Sequence, residues 1–166
     1  GGLAARNLTM PVIDKSKCPV KTGSIYPEPY VGQMAGRSSL RLGEAGGLTQ
    51  FGANEVILQP GALSSLRHWH HREDEFVMVL QGECTLVQDE GETTLHPGDC
   101  AAFPAGDPNG HHFINKTAAE ARFLVIGSRM NPEHGTYCDV DLEVDIKDGK
   151  ASFTYKDGTP YQGERK

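Results

Sequence analysis

Gly61-Ala62-Leu63-Ser64-Ser65-Leu66-Arg67-His68-Trp69-His70-His71-Arg72-Glu73-Asp74-Glu75, followed after six residues by Gly82, is the stretch on which the reading of this chain turns. Pro60-Gly61 marks a turn, and Leu66 to His70 reads as a short strand. His68 and His70 are two positions apart, so on a strand both imidazoles project from one face. A four-residue turn follows, and Glu75 opens a run of strong β formers, Phe76, Val77, Met78 and Val79, that ends at Leu80. Two imidazoles and one carboxylate can therefore meet without help from distant sequence. Glu73 and Asp74 are alternatives to Glu75, which is preferred because a ligand at the head of an apolar strand is held rigidly. Trp69, between two inward histidines, is expected to pack on the opposite face, and His71 to point elsewhere from the turn.

A second block lies downstream: Gly98-Asp99-Cys100-Ala101-Ala102-Phe103-Pro104-Ala105-Gly106-Asp107-Pro108-Asn109-Gly110-His111-His112-Phe113-Ile114-Asn115. A strand beginning near His111 could deliver a further imidazole. Neighbours on a strand face opposite ways, so only one of His111 and His112 should reach the cluster, and His111 is preferred. Imidazole and carboxylate donors suit a single divalent transition ion per chain, Mn²⁺, Fe²⁺, Co²⁺, Ni²⁺ or Zn²⁺. No cysteine sits in the cluster to favour structural zinc.

The rest of the chain is punctuated by glycine and proline, 20 and 10 of 166 residues, which break it into short apolar runs. Strands are expected over Leu48–Leu58, Cys84–Gln88, Thr93–Leu95, Cys100–Phe103, Ala121–Ile126, Val140–Ile146 and Ala151–Tyr155. No stretch keeps a helical period. Short strands with turns every eight to twelve residues point to an all-β barrel or sandwich. The Phe76–Leu80 run is apolar on both faces, so its outer face needs a cover, from an N-terminal arm or a partner subunit. Asn7 to Ile13 reads as such an extended arm. The expected organisation is an arm with loops over 1–47, a core over 48–128, and a C-terminal extension over 129–166.

One domain suits 166 residues. Sixteen basic against 22 acidic residues give a net charge of −6, which argues against nucleic acid as a partner. Cys18, Cys84, Cys100 and Cys138 form no C-x-x-C pair, and the sequence shows no long apolar run or lipidation signal. Reduced cysteines, a cytoplasmic location and no membrane association are the expectation.

The two blocks resemble the paired motifs of the cupin superfamily. Gly61, His68, His70, Glu75 and Gly82 follow the first motif, with one extra residue before the histidines. Gly98, Pro104, Gly106, His111 and Asn115 follow the second, with four residues rather than two between Gly106 and His111. The resemblance implies a double-stranded β-helix (jelly-roll) barrel, commonly a homodimer, with one metal ion on His68, His70, Glu75 and His111. The wider chain is similar to small bacterial cupins described as sugar-phosphate isomerases by analogy with larger ones. That implies isomerisation or epimerisation of a small sugar or sugar phosphate through an enediolate that the ion stabilises. Glu73, Asp74 and His112 are the candidates for the base, and Arg67, Arg122 or Arg129 for a phosphate clamp. The same ligands would serve an Fe-dependent dioxygenase of a small organic substrate, or a module that binds a sugar or organic acid without turning it over.

Overall fold

A computed structural model describes residues 11–165; residues 1–10, which include the start of the expected arm, lie outside them. The described residues form an all-β domain with thirteen strands: β1 (Val20–Thr22), β2 (Arg37–Leu40), β3 (Phe51–Leu58), β4 (His68–His70), β5 (Glu75–Gln81), β6 (Cys84–Gln88), β7 (Gly91–Leu95), β8 (Cys100–Phe103), β9 (His112–Ile114), β10 (Ala121–Ser128), β11 (Glu133–Tyr137), β12 (Leu142–Lys147) and β13 (Lys150–Thr154). Helical structure among the described residues is one turn, α1 (Leu42–Ala45), and two 3-10 turns, Lys15–Lys17 and Val31–Met34. No described helix is long and apolar enough to cross a membrane.

The strands form three sheets: β1-β2-β3-β10-β5-β8, β13-β12-β11-β4 and β7-β6-β9. Every pairing is antiparallel. In the largest sheet Phe123 sits opposite Val56 on one side and Val79 on the other. These residues, with Leu58, Val77, Leu86 and Phe113, build the main core between the six- and three-stranded sheets. Alternation puts Val77 and Val79 inward, so Phe76, Met78 and Leu80 face outward. A second core, Tyr30, Leu66, Tyr137, Leu142 and Val144, lies under the four-stranded sheet. Ile13, Cys18 and Leu42 cover Leu40 and Ile57 on the outward face of β2 and β3.

The sequence reading lacks β11, although this strand is the neighbour that carries the His-Trp-His strand β4. Its inward positions are Glu133, Gly135 and Tyr137, so burial alternates while hydrophobicity does not. Gly82, in the β5–β6 turn, shows why its position takes glycine: φ is +72°, and a Cβ there would lie 2.6 Å from the Glu120 carbonyl oxygen. Gly82→Ala is expected to cost about 2–3 kcal/mol, left-handed strain plus a backbone shift, read as a lower urea midpoint at unchanged slope.

Candidate metal centre

Backbone pairing brings the histidines together. His68 N–H donates to the His111 carbonyl at 3.2 Å, and His111 N–H returns a bond to His68 at 2.9 Å. Residues directly opposite in an antiparallel pair project from the same face, so both imidazoles point to one side. β4 begins at His68 rather than at Leu66 because the Leu66 carbonyl accepts a bond from His68 Nδ1, at 2.8 Å, instead of joining a ladder. A carbonyl can only accept, so the proton is on Nδ1 and Nε2 presents a lone pair. Glu75 arrives from β5, opposite Phe103 of β8, and Phe103 stacks on the His111 ring at 3.5 Å and 5°. The Gly106 N–H bonds the His70 carbonyl at 2.8 Å and ties the Pro-x-Gly loop to the ligand strand.

The donor atoms close up accordingly. His68 Nε2 lies 3.2 Å from His70 Nε2, His70 Nε2 3.4 Å from Glu75 Oε2, and His111 Nε2 3.0 Å from Glu75 Oε1. Donors about 2.1 Å from a common centre are spaced about 3.0 Å apart in an octahedron and about 3.4 Å in a tetrahedron. The observed separations span those edges. His68, His70 and Glu75 form a group with one ligand atom each, all within 4.8 Å of one another, and it fits a single divalent ion. His70 Nδ1 and His111 Nδ1 are buried without a hydrogen-bond partner. The open space against His70 and His111 is about 10 Å³, bounded by Trp69, Phe103, Pro104, Asp107 and Asn109, which is room for one water.

Electrostatics keep the group ready to bind a cation. Burial, then the neighbouring His70 and His111, push the His68 pKa down to about 3. Burial alone would raise Glu75, but hydrogen bonds from His111 and His70 outweigh it and hold the carboxyl below its usual range. His70 is shifted upward, because the bond to Glu75 overcomes its burial. For His68 the folded pKa lies below the unfolded value, so its contribution to stability is present above about pH 6.5 and is lost as the pH falls toward 3. Glu75 adds a loss of the same sign below about pH 4.5, and His70 opposes both. Metal-stripped protein is therefore expected to show a denaturation midpoint that falls between pH 6.5 and 4. The fall should be shallower in His68→Gln, as checked by urea titration across that range.

The remaining predicted residues separate. Trp69 faces away from the cluster and stacks on His71 at 4.0 Å, and His71 Nε2 bonds Thr136 at 2.9 Å. His112 points from the other side of its strand, with Nδ1 3.0 Å from the Ser65 carbonyl. Asp74 accepts from the Ala105 N–H at 2.8 Å and is exposed. Glu73 stays close: it forms a second group with His70 and Glu133 within 4.8 Å. Burial, offset in part by a bond from the Met130 N–H and reinforced by Glu133, raises the Glu73 pKa. Arg67 is taken up by Asp89 and Asp139, and Arg122 by Glu120 and Glu55. Glu133 was not foreseen from sequence. It is 2% exposed and accepts from the backbone N–H groups of His71, Arg72 and His134. It thereby anchors the turn between the two ligand strands. Asn115, buried, bonds the Leu58 and Ala119 carbonyls and holds the loop before β10.

A family model described as a cupin domain matches residues 54–127. Among solved structures, a sugar phosphate isomerase of the cupin superfamily from Silicibacter pomeroyi is 54% identical over 91% of this chain and 96% of its own, with a TM-score of 0.89. A protein from Acidithiobacillus ferrooxidans, whose name proposes the same class of activity, is 25% identical over 84% and 97%, with a TM-score of 0.69. The polyketide cyclase RemF from Streptomyces resistomycificus, 24% identical over 72% and 79%, shares the fold at a TM-score of 0.56. No curated protein matches the chain.

Proposed function

Because the chain belongs to the cupin superfamily, we propose that it is a metal-dependent isomerase or epimerase of a small sugar or sugar phosphate. In this reading the sheets close as a jelly-roll barrel around one ion held by His68, His70, Glu75 and His111. The observation that carries it is the convergence of His68, His70 and Glu75 donors within 4.8 Å, in a chain 54% identical to a cupin sugar phosphate isomerase.

When bound, the ion would polarise a substrate carbonyl and the neighbouring hydroxyl. The protein's part is to present neutral imidazole lone pairs, to hold Glu75 ionised, and to move a proton. Glu73 is assigned as the base: it alone of Glu73, Asp74 and His112 forms a close group with a residue of the cluster, and burial raises its pKa, the direction that favours a proton carrier. It would take a proton from the hydroxyl-bearing carbon and return it to the former carbonyl carbon. Arg67 and Arg122 are held in ion pairs, which leaves the exposed Arg129, just after β10, as the remaining candidate for a phosphate clamp.

The test is anaerobic incubation of the Mn²⁺- or Zn²⁺-loaded protein with aldoses, ketoses and their phosphates in D₂O. The expected result is sugar interconversion with deuterium at the carbon next to the carbonyl, slowed at least about 100-fold in Glu73→Gln. Turnover that needs Fe²⁺ and consumes O₂ would assign a dioxygenase instead, and saturable binding without exchange would assign a binding module.

Two further expectations belong to this reading. Phe51, Phe76 and Leu80 are 39%, 36% and 43% exposed on the outward face of the large sheet, which supports a homodimer through that face; sedimentation as a monomer would exclude it. All four cysteines are free, which supports a reducing, cytoplasmic setting.

A further inference from the structure

We propose that the cleft between β1, the Val31–Met34 turn and β2 is a second ligand site, built around Arg37, for the phosphate or carboxylate group of a small organic anion. The cleft encloses about 390 Å³, the size of a small-molecule site, and shares no lining residue with the space beside His70 and His111. Arg37 is the one charged residue in its lining; no aspartate or glutamate contributes to it.

The state of Arg37 is the central observation. It lies opposite Leu58 in the β2–β3 ladder, so its side chain starts from the buried side of the sheet. Its Nε is buried with no hydrogen-bond partner, and among the described residues no carboxylate or carbonyl pairs with its guanidinium. Among the other described arginines Arg129 is exposed to solvent, and five are paired. Arg41 pairs with Glu44, Arg67 with Asp89 and Asp139, Arg72 with the Pro132 carbonyl, Arg122 with Glu120, and Arg165 with Asp157. A buried N–H without an acceptor is costly, and the planar guanidinium fork matches an oxyanion two bonds at a time.

The surroundings add positive charge and space. Lys21, on the strand paired with β2, has its pKa lowered by burial and by the like charges of Arg41 and Arg37. Lys21 sits opposite Ser39, midway between Arg37 and Arg41, so the strand register places three cations on this part of the sheet in a chain whose net charge is −6. Thr22 and Ser38, opposite each other in the β1–β2 ladder, also line the cleft. A Cβ placed on Gly23 or Gly32 would meet nothing within 4 Å, so the cleft stays open where those glycines line it.

The experiment uses the full chain after EDTA treatment, so that no ion at the histidine centre contributes and failure here is separate from failure of the isomerase reading. Inorganic phosphate, glycerol phosphate and succinate are titrated by calorimetry and by amide NMR. The expected result is saturable millimolar or tighter binding of a phosphate or carboxylate probe, with shifts at Gly23, Gly32 and Gly36. Binding should weaken at least about tenfold in Arg37→Gln and recover in part in Arg37→Lys. Gly32→Leu, which fills the cleft, should exclude glycerol phosphate and spare inorganic phosphate. Without ligand, Arg37→Gln should melt no lower than the parent, and only the parent should gain stability from the anion. Phosphate selectivity would name a phosphate monoester as the ligand class, and succinate selectivity a carboxylate. Absence of saturable binding by all three probes, equal binding by Arg37→Gln, or an Arg37→Gln protein that melts well below the parent would each overturn the proposal.

Discussion

His111→Ala protein is expected to bind its divalent ion at least a hundredfold more weakly than the parent, and His70→Ala likewise, while His112→Ala keeps the parent's metal content. Loss of a group that merely orients a metal ligand typically costs about 10- to 100-fold in affinity. Loss of a donor atom itself should cost more. The contrast within the His111-His112 pair follows from the backbone. His111 and His68 exchange two backbone hydrogen bonds and so share a face, whereas His112 is turned to the Ser65 carbonyl. Elemental analysis after dialysis against a weak chelator, with circular dichroism to show that each variant folds, is the measurement. Equal metal per chain in His111→Ala and the parent would remove His111 from the ligand set, and loss in His112→Ala would exchange the two assignments.

Glu133→Ala is expected to be the most destabilising single change near the centre, by about 3–5 kcal/mol. The carboxylate accepts from the N–H groups of His71, Arg72 and His134, at 3.1, 3.1 and 2.7 Å. Truncation leaves these donors without an acceptor, at about 1–3 kcal/mol for each one that water does not reach. A fall in Tm of roughly 10 °C follows for a domain of this size. Glu133→Gln keeps one acceptor oxygen and should lose less than half as much. The bonds also fix the turn that carries Glu73 and leads from His70 to Glu75, so a folded Glu133→Gln protein should bind metal about tenfold more weakly. Calorimetric melting of the metal-free forms separates the two effects. Unchanged stability in Glu133→Ala would mean that water replaces the carboxylate and that the anchor is dispensable.

Local signals made much of this protein legible. The two-residue spacing of His68 and His70 is a property of a single strand, and the turn to Glu75 spans four residues, so this part of the cluster needed no knowledge of the fold. Phe76 to Leu80, with β-forming side chains throughout, identified β5 and its outward apolar face for the same reason. β11 was not legible, because its buried positions are occupied by Glu133, Gly135 and Tyr137, and a burial pattern without matching hydrophobicity leaves no period to detect. Strand alternation says that only one of His111 and His112 reaches the cluster, and motif spacing made His111 the preference; the side each takes became visible only in the bridge to His68.

What the sequence determined by itself is the all-β character and the local triad of His68, His70 and Glu75, since both rest on periodicity and spacing within a few residues. What the tertiary structure decided is everything that depends on which strands become neighbours. It put His111 across from His68, turned Asp74 and His112 away, paired Arg67 with Asp139 and Arg122 with Glu55, anchored the turn after His70 on Glu133, and left Arg37 Nε without an acceptor. Hydrogen bonds and ion pairs between residues 31 to 72 positions apart depend on the closure of the chain. No local pattern of side chains encodes that distance.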